Sequence, residues 1–301
     1  MLVSVIIASY NSSKTITACL EALRQQATSY PYEIVVADSS DDHTAKIIGE
    51  KFPEVKLIRL PARTYPGPAR NAAVQGSKGE ILAFLDTDCT VPSDWLACIG
   101  RAHQSGHQIV GGAVLNGTRH SYVGTAEHII EFSEYSEWQK ARSLRMIPTC
   151  NLSIRREIFD KAGRFESVDT GKMLFKSEDL LLCHRIRKHG YSIYYNPRIK
   201  VYHHNRTSLR RFLKNQLALG FSSAVVRRLV ATKGSAFVQY FPLAVFIPAI
   251  KTGILLKRLA SYRMIDLFSL VFHIPMIFVG SCFYTIGFFR GIKFPLDGCR
   301  P

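Results

Sequence analysis

The sequence predicts an α/β fold, with a doubly wound and mostly parallel sheet followed by an apolar, basic, helical C-terminal region. Short apolar runs rich in β-branched residues alternate with helical patterns early in the chain, as expected of parallel strands joined by helices. Each of these runs ends in polar residues. Beyond residue 235, two apolar stretches are much longer than a strand. These observations divide the chain into an α/β domain, 1–205, and a C-terminal region, 206–301.

The composition excludes a disordered chain and a disulfide framework. Of the 301 residues, 47% are hydrophobic, which is enough to form a sizeable core. The seven cysteines form no C-x-x-C pair, so we expect reduced thiols in a cytosolic environment and no zinc knuckle. No basic, apolar leader precedes the first strand, and we therefore expect no export signal.

The net charge of +16 is concentrated in the last third of the chain. Residues 198–301 hold sixteen Lys and Arg against two acids, a net charge of +14, so the rest of the chain is nearly neutral. Such an asymmetry indicates an anionic partner, either nucleic acid or a membrane surface.

The predicted elements bring polar residues to one edge of the sheet. Strands are predicted at 2–8, 33–37, 55–60, 81–85, 108–115 and 191–195. Helices are predicted after Ser12 or Ser13, from Thr44, behind Pro68, after Ser93 and over 121–140, the last with a solvated, Glu-rich face. Ligands bind at the carboxyl ends of parallel strands. Tyr10, Asn11, Asp38, Asp86 and Asp88 are expected at these ends.

The pair Asp86 and Asp88 predicts a metal site. Alternation along an extended chain turns both carboxylates to one side, with Thr87 on the other. Paired carboxylate oxygens suit Mg²⁺ or Mn²⁺ when substrate phosphates and water complete the coordination shell. A simple polar turn is the alternative interpretation, but the position at the tip of a buried strand favours a site.

The chain has no glycine-rich phosphate motif. Neither the dinucleotide fingerprint nor a P-loop is present, so a metal ion and Arg or Lys must hold any phosphates. Asp38 either accepts hydrogen bonds from a nucleotide base or caps the turn that follows it. Arg70 is a candidate contact for a phosphate or a ribose.

Four segments, taken in order, resemble the signatures of family-2 glycosyltransferases with a GT-A fold. They are 3–11, 35–42, 67–71 and 85–88, and the resemblance covers about residues 2–205. It implies inverting transfer from a nucleotide-sugar, with Asp38 on the base, Asp86 near the ribose or uracil, and Asp88 on the metal. Cys89 stands where such enzymes commonly carry a third acid. The donor-binding residues that the resemblance implies are Ala8, Tyr10, Asn11, Asp38, Arg70, Asp86 and Thr87.

Two later segments also match the family. Cys150 and Asn151 resemble part of its donor-sugar and acceptor wall. Glu178 and Asp179 open a predicted helix, where acids are expected from the helix dipole alone. In the family they match a Glu-Asp motif, which implies that Asp179 is the base that deprotonates the acceptor hydroxyl. A glycosidase would instead need two opposed carboxylates and no metal.

His203 resembles the third metal ligand of many relatives. Strand alternation turns one of His203 and His204 towards the site, and we choose His203. An imidazole ligand favours Mn²⁺ over Mg²⁺. The alternative is a hydrogen-bonded strand histidine without a metal.

The C-terminal region predicts membrane association. Residues 207–231 form a basic amphipathic helix, and the stretches 236–256 and 264–289 are each long enough to span a bilayer. The connector 257–263 is strongly basic, so a spanning hairpin with a cytosolic enzyme would violate the positive-inside rule. Spanning helices and interfacial helices both stay open, and either arrangement places the enzyme at the cytoplasmic face.

The sequence therefore predicts a metal-dependent transferase, using Mn²⁺ or Mg²⁺, that moves one sugar to a hydroxyl or phosphate of a lipid-linked or glycan acceptor. No Trp follows Trp138, so the Q-x-x-R-W signature of processive synthases is absent. Two alternatives stay open. A nucleic-acid-binding protein is disfavoured because the basic half is also apolar, and a nucleotidyltransferase would release diphosphate rather than a nucleoside diphosphate.

Overall fold

The computed structural model describes residues 1–166, 176–230, 234–262 and 267–296, without the side chains of 259–262 and 267–270. The chain divides into two compact units. The sheet unit consists of Met1–Leu115, Lys140–Ser167 and Leu182–His203. The helical unit consists of Asn116–Gln139, Val168–Leu181 and His204–Pro301. The boundary at residue 205 stays a prediction.

A nine-stranded mixed sheet forms the sheet unit. The strands are β1 (Val3–Ser9), β2 (Tyr32–Asp38), β3 (Lys56–Arg59), β4 (Ile81–Asp86), β5 (Cys89–Thr90), β6 (Ile109–Asn116), β7 (Arg142–Leu144), β8 (Leu152–Arg155) and β9 (Ile193–His203). Their order is β3-β2-β1-β4-β8-β6-β9-β5, and β7 pairs with β9. Strands β1 to β4 pair in parallel, whereas β8 pairs antiparallel with β4 and β6. The predicted α/β architecture is confirmed, with the parallel pairing in the half that carries β1 to β4.

Helices connect the strands and form most of the helical unit. They are α1 (Ile16–Arg24), α2 (Thr44–Lys51), α3 (Pro66–Gln75), α4 (Trp95–Gln104), α5 (Tyr122–Phe132), α6 (Arg156–Lys161), α7 (Glu178–Lys188), α8 (Leu209–Leu229), α9 (Ala236–Gln239), α10 (Ile247–Tyr262) and α11 (Leu267–Ile292). Helix α3 begins at Pro66, two residues before the predicted Pro68. Both prolines fall in the first turn, where a missing N–H removes no helical hydrogen bond.

Two predicted elements differ from the structure. The helix expected over 121–140 ends at Phe132, because a 3₁₀ turn follows and Ser136 then adopts an extended conformation. The strand segments expected at 191–195 and near His203 form one strand, β9. Pro197 has no N–H for a sheet ladder. Beside it, the backbone N–H of Arg198 bonds to the side chain of Asn196 at 3.0 Å, and the strand continues.

Helices α8 and α11 pack with their backbones in close contact. A Cβ on Gly220 would lie 1.9 Å from the carbonyl oxygen of Tyr284, and one on Gly287 would lie 2.0 Å from that of Leu217. Such approaches require residues without a side chain. Glycine at these positions therefore sets the spacing of the two helices in the helical unit.

The helical unit exposes apolar side chains and buries polar ones. The exposed large hydrophobic residues of its C-terminal part are Tyr240, Phe241, Leu243, Val245, Phe246, Ile250, Ile254, Val271, Phe272, Phe278, Val279 and Ile286. The buried polar residues include Glu127, His128, Asn215, Gln216, Ser222, Ser223, Thr252, His273, Ser281 and Thr285. The same unit also has buried apolar clusters, which include Ile129, Ile277 and Phe288. The exposed apolar residues are therefore the feature that departs from an ordinary soluble bundle.

One segment of α11, Val271–Ile292, is long and apolar enough to cross a membrane. Its mean hydropathy is 1.6, and 39% of its most apolar stretch is buried within the protein. Among the residues that the structure describes, no second helix meets the same criteria of length and composition.

Candidate active site

The carboxyl ends of β1, β2 and β4 lie side by side in the sheet unit. In register, Ser9 pairs with Asp38, and Ala8 pairs with Asp86. Parallel pairing therefore brings the two predicted acidic strand ends to the same edge of the sheet, one on each side of β1.

The turn after β1 is tied to the turn after β2. Asn11 has a φ of 51°, a left-handed conformation that asparagine tolerates better than most residues. Its backbone N–H donates to Ser40 Oγ at 2.7 Å, and its side-chain oxygen accepts from the N–H of Asp41 at 3.1 Å. Nearby, the guanidinium carbon of Arg63 lies 4.8 Å from the ring centroid of Tyr10, which is partly exposed. An aromatic face and a guanidinium suit a nucleotide's base and phosphates.

Asp38 is fully buried, and both of its carboxylate oxygens have protein partners. Ser40 donates its hydroxyl to Oδ1 at 2.5 Å, and the guanidinium of Arg59 forms an ion pair with Oδ2. Arg59 also donates to the carbonyl oxygen of Ser40 at 2.9 Å. The side chain of Arg59 is 49% exposed, so it covers Asp38 from the solvent side. Sequence reasoning missed Arg59, although an arginine at the end of the neighbouring strand was a visible signal.

Asp42 holds the start of α2. It accepts hydrogen bonds from the backbone N–H of Thr44 at 2.9 Å, from the Thr44 hydroxyl, and from the backbone N–H of Ser13 at 3.3 Å. Burial alone would raise the pKa of Asp42, but these hydrogen bonds lower it to about 2. The carboxylate is therefore ionised at neutral pH and joins the first helix to the second.

Arg70 contacts Asp86 directly. Its NH2 donates to Asp86 Oδ1 at 2.7 Å, and the Arg70 side chain is 5% exposed whereas that of Asp86 is 31% exposed. The ring of Phe165 lies 5.5 Å from the guanidinium carbon. Arg70, expected to contact a phosphate or ribose, is in this structure the residue that fixes the Asp86 carboxylate.

Thr87 and Asp88 form a turn after β4 ends at Asp86. The strand-alternation argument for a common orientation of Asp86 and Asp88 is therefore wrong, because Asp88 is not in an extended strand. The hydroxyl of Thr87 lies 2.8 Å from that of Ser12, which joins this turn to the start of the first helix.

Asp88 instead lies next to His203. The Asp88 Oδ1 atom is 3.5 Å from His203 Nε2, and strand β5 brings them together because Cys89 pairs with His203 in the antiparallel β5–β9 ladder. Ligand atoms of Asp88, Cys89 and His203 all lie within 4.8 Å of one another. Oxygen, nitrogen and sulfur donors at this separation fit a divalent cation. Cys89 is the member of this group that sequence reasoning did not assign to the metal.

The thiols near the acidic pair are buried, and their pKa values are raised. Burial raises the pKa of Cys89 well above its usual value, and a hydrogen bond with Cys150 and the charge of Asp88 add to the effect. Burial also raises the pKa of Cys19, whose thiol lies 3.6 Å from the carbonyl oxygen of Asp86. Cys150, expected in the sugar wall, is thus in contact with the thiol of the candidate metal group.

Asn151, the second predicted wall residue, is held inside the sheet unit. Its side-chain oxygen accepts from the indole N–H of Trp95 at 3.1 Å. Its amide donates to the carbonyl oxygens of Ala113 at 2.8 Å and Ile199 at 3.0 Å. Asn151 therefore joins α4, β6 and β9, and its role in sugar binding stays a prediction.

Glu178 and Asp179 form the first turn of α7 and belong to the helical unit. Asp179 is partly exposed, and its Oδ1 lies 2.7 Å from the N–H of Leu180. The preceding Lys176 is fixed to α8 by two hydrogen bonds: its backbone N–H donates to Ser222 Oγ at 3.0 Å, and its ammonium donates to Asn215. Burial lowers the pKa of Lys176 to about 8.

A buried network connects α5 with α8 in the helical unit. Glu127 is fully buried and accepts from the Arg206 backbone N–H at 2.6 Å, from its guanidinium at 3.1 Å and from Asn215 at 2.8 Å. Glu131 accepts from Asn215 at 2.7 Å and from Gln216 at 2.8 Å. The Glu-rich helix, expected to be solvated, turns these two acids inwards. The partners that satisfy them come from a distant segment.

Several known proteins similar to this chain are named as glycosyltransferases. One is "Glycosyltransferase AglE" of Haloferax volcanii, 28% identical over 239 residues that cover 69% of this chain and 77% of that protein. Another is the "Dolichyl N-acetyl-alpha-D-glucosaminyl phosphate 3-beta-D-2,3-diacetamido-2,3-dideoxy-beta-D-glucuronosyltransferase" of Methanococcus voltae. It is 24% identical over 327 residues, which cover 96% of this chain and 97% of that protein.

The fold is similar to that of the mannosyltransferase PcManGT from Pyrobaculum calidifontis, solved with GDP-Man and Mn²⁺. The TM-score is 0.60 at 18% identity, and the match covers 97% of this chain and 87% of that chain. The sequence profile described as Glycosyl transferase family 2 matches residues 4–163. Since this match spans more than half of the 301 residues, the protein belongs to glycosyl transferase family 2 and has its GT-A fold.

Proposed function

We propose that this protein is an inverting, metal-dependent glycosyltransferase that moves one sugar from a UDP-linked donor to a hydroxyl or phosphate of a lipid-linked acceptor. The observation that carries the proposal is the group formed by Asp88, Cys89 and His203, in which Asp88 lies two residues beyond the end of β4. A nucleotide-sugar at this edge would place its diphosphate within reach of both the acids and the cation they hold.

The donor site uses the groups at the strand ends. Asp38 accepts hydrogen bonds from the base, and the exposed Arg59 moves aside as the base approaches. Asp86, fixed by Arg70, contacts the ribose or uracil, while Ala8, Tyr10, Asn11 and Thr87 line the rest. UDP is the nucleotide implied by the resemblance to the family. TarS of S. aureus, whose fold is similar with a TM-score of 0.54 at 17% identity, was solved with UDP-GlcNAc.

Asp88 and His203 are the residues that would hold the metal ion. Mn²⁺ is favoured over Mg²⁺ because the set includes an imidazole nitrogen. When bound, such an ion neutralises the charge that develops on the departing nucleoside diphosphate.

Asp179 is the base of the proposed reaction. Its carboxylate takes the proton of the acceptor hydroxyl as the new bond to the anomeric carbon forms, and the nucleoside diphosphate leaves from the opposite face. Glu178, buried in the same first turn, orients the helix start. Cys150 and Asn151 complete the wall around the sugar.

The helical unit binds a membrane in this proposal. Its exposed apolar residues on α10 and α11 form the surface that would enter the lipid, and Val271–Ile292 has the length and hydropathy of a membrane segment. Exposed apolar residues in such number mark a contact with lipid or protein. The Methanococcus voltae relative, named for a dolichyl-linked phosphate substrate, supports a lipid-linked acceptor presented at the cytoplasmic face.

The test is a panel of nucleotide-sugars with Mn²⁺ and membrane lipids, read as nucleoside diphosphate release. The Asp88→Asn variant removes a carboxylate ligand but keeps its shape, and we expect turnover to fall about 10²-fold or more. Asp160→Asn, at an exposed acid that pairs with Arg164, is the control and keeps native turnover. Release of diphosphate instead of nucleoside diphosphate would show a nucleotidyltransferase. Normal Mn²⁺ response in Asp88→Asn would refute the metal assignment.

A further inference from the structure

A lysine lies on the inward face of α10 in the helical unit. Ile247 and Leu255, one helical turn on either side of Lys251, are 5% and 4% exposed. Ile250 and Ile254, on the adjacent face, are 41% and 46% exposed. Since residues four apart share a helix face, Lys251 lies on the inward face of α10. Lys251 is itself half-buried, and the outer face exposes Ile250 and Ile254 together with Lys257.

The ammonium of Lys251 is not neutralised by a direct ion pair. Its Nζ lies 3.6 Å from the ring centroid of Tyr284 on α11. Among the described residues, Lys251 forms no hydrogen bond and no ion pair. A cation over an aromatic face is only partly stabilised, and a half-buried charge without a hydrogen-bonded partner is costly. The position is therefore suited to an anion.

Further donors surround the same point. The hydroxyl of Tyr284 donates to Ser223 Oγ at 2.5 Å. Arg227, one turn further along α8, donates to the carbonyl oxygen of Ser223 at 3.0 Å and to its hydroxyl. The acid that acts on Lys251 electrostatically is Glu131. The oxygen Oε1 of that acid already accepts two amide hydrogen bonds. Within the described part of the helical unit, two cations and two hydroxyls thus lie near Glu131, an acid that already accepts hydrogen bonds.

The surface outside this cluster is apolar. Helices α10 and α11 expose Ile250, Ile254, Phe278 and Ile286, among others. Ionisable residues inside a bundle with such a surface mark the path or the site of a charged substrate in membrane proteins. A ligand that matches both features carries an anionic head for the cations and a long apolar chain for the surface.

We propose that Lys251, Arg227, Tyr284 and Ser223 bind the phosphate of a phosphorylated lipid whose chain lies against α10 and α11. The ligand class is a polyisoprenyl phosphate, the chemistry expected of a lipid carrier for the acceptor. This inference deepens the proposed function and rests on its lipid-linked substrate. It adds a site for the carrier's phosphate that is separate from the residues assigned to the donor.

The test is binding of a polyisoprenyl phosphate to the full chain in detergent, with the matching polyisoprenol as the uncharged probe. Native mass spectrometry counts bound lipid without requiring sugar transfer. Charge-assisted hydrogen bonds favour the phosphate by about ten- to a hundredfold over the alcohol. In Lys251→Met this preference should fall at least about tenfold. Lys257→Met makes the same change at an exposed position of the same helix and should keep the native preference.

Melting temperatures, measured with and without lipid, distinguish a binding role of Lys251 from a purely structural role. Because an uncompensated cation is removed, Lys251→Met without lipid should melt no lower than the native protein. Added polyisoprenyl phosphate should raise the melting temperature of the native protein but not of the variant. If Lys251→Met does not fold, Tyr284→Phe, which removes one hydroxyl from the site, must weaken phosphate binding several-fold.

The lipid controls identify the source of the phosphate. Competition by phosphatidylglycerol equal to that by the polyisoprenyl phosphate would overturn the carrier assignment, and weak competition by phosphatidylglycerol and by inorganic phosphate would support it. Equal binding of the phosphate and the alcohol, or an unchanged preference in Lys251→Met, would overturn the site. These results are independent of the donor panel. A failed panel with intact lipid selectivity contradicts the transferase proposal, and the reverse combination contradicts this inference.

Discussion

His103 should make the sheet unit sensitive to mild acid. The side chain is on α4, fully buried, with Nε2 at 2.9 Å from Ser153 Oγ. Burial lowers the pKa of His103 from 6.5 to about 4, and the nearby charge of Arg155 adds to the effect. The unfolded chain regains the ordinary pKa of histidine. Between these two values, the unfolded state therefore binds a proton that the folded state does not.

The free energy of unfolding consequently falls as the pH drops below 6.5, and the loss is complete near pH 4. The difference between the two pKa values corresponds to about 3 kcal/mol at most, because one pKa unit is worth about 1.4 kcal/mol. By about pH 5, roughly 2 kcal/mol of this has been lost. A protein of ordinary stability would show such a loss clearly.

The fluorescence of Trp95 provides the assay. Trp95 is 1% exposed on the same helix, and Trp138, the other tryptophan, is 67% exposed in the helical unit. In a Trp138→Phe background, urea unfolding at about pH 7.5 and about pH 5 reports on the sheet unit. His103→Gln should lose less stability than its parent between these pH values, by roughly 2 kcal/mol. The control His189→Gln changes an exposed histidine and should show the same pH dependence of stability as the parent. Equal pH dependence in His103→Gln and the parent would refute the reasoning.

Three further predictions concern the donor site, the base and the helix packing. Asp38→Ala should raise the donor KM more than it lowers kcat in a nucleoside diphosphate release assay. An unchanged KM would leave Asp38 as a turn cap. Asp179→Asn should slow turnover by about 10²–10⁴ with normal donor binding, and Glu178→Gln should be milder. The reverse ranking would make Glu178 the base. Gly287→Ala should lower the melting temperature, because its Cβ would meet the Leu217 carbonyl, whereas Gly253→Ala, with open space around it, should not.

The parallel half of the sheet could be predicted because its signals are local. Strands β1, β2 and β4 each contain a short apolar run followed by a polar residue, and the connecting helices are short. That pattern also places Asp38 and Asp86 at one edge, which the register confirms. The strand at β6 was also predicted, but the sequence offered no comparable signal for the order of the other half of the sheet. The antiparallel pairing of β8 with β4 and with β6 depends on which distant segments meet.

The contacts of the site depended on pairings that a local pattern does not contain. His203 reaches Asp88 through the β5–β9 ladder, and Arg59 reaches Asp38 through the β2–β3 ladder. Strand alternation could not predict the orientation of the Asp88 side chain, because β4 ends two residues before Asp88. The sequence also predicted a solvated face for the helix that carries Glu127, because its hydrogen-bond partners are distant in sequence. The residues that satisfy it, Arg206 and Asn215, follow about 80 positions later.

The structure also disfavours nucleic-acid binding as the explanation of the basic C-terminal region. Binding to nucleic acid requires cations at the surface, where each can neutralise a phosphate. Several cations of the helical unit instead contact groups inside it. Arg206 pairs with the buried Glu127, and Arg228 donates to the carbonyl oxygen of Gly291 at 3.2 Å. Lys251 is turned inwards, and apolar residues are exposed on α10 and α11. A phosphorylated lipid matches this arrangement, because its phosphate pairs with the inward cation and its chain packs against the exposed apolar residues.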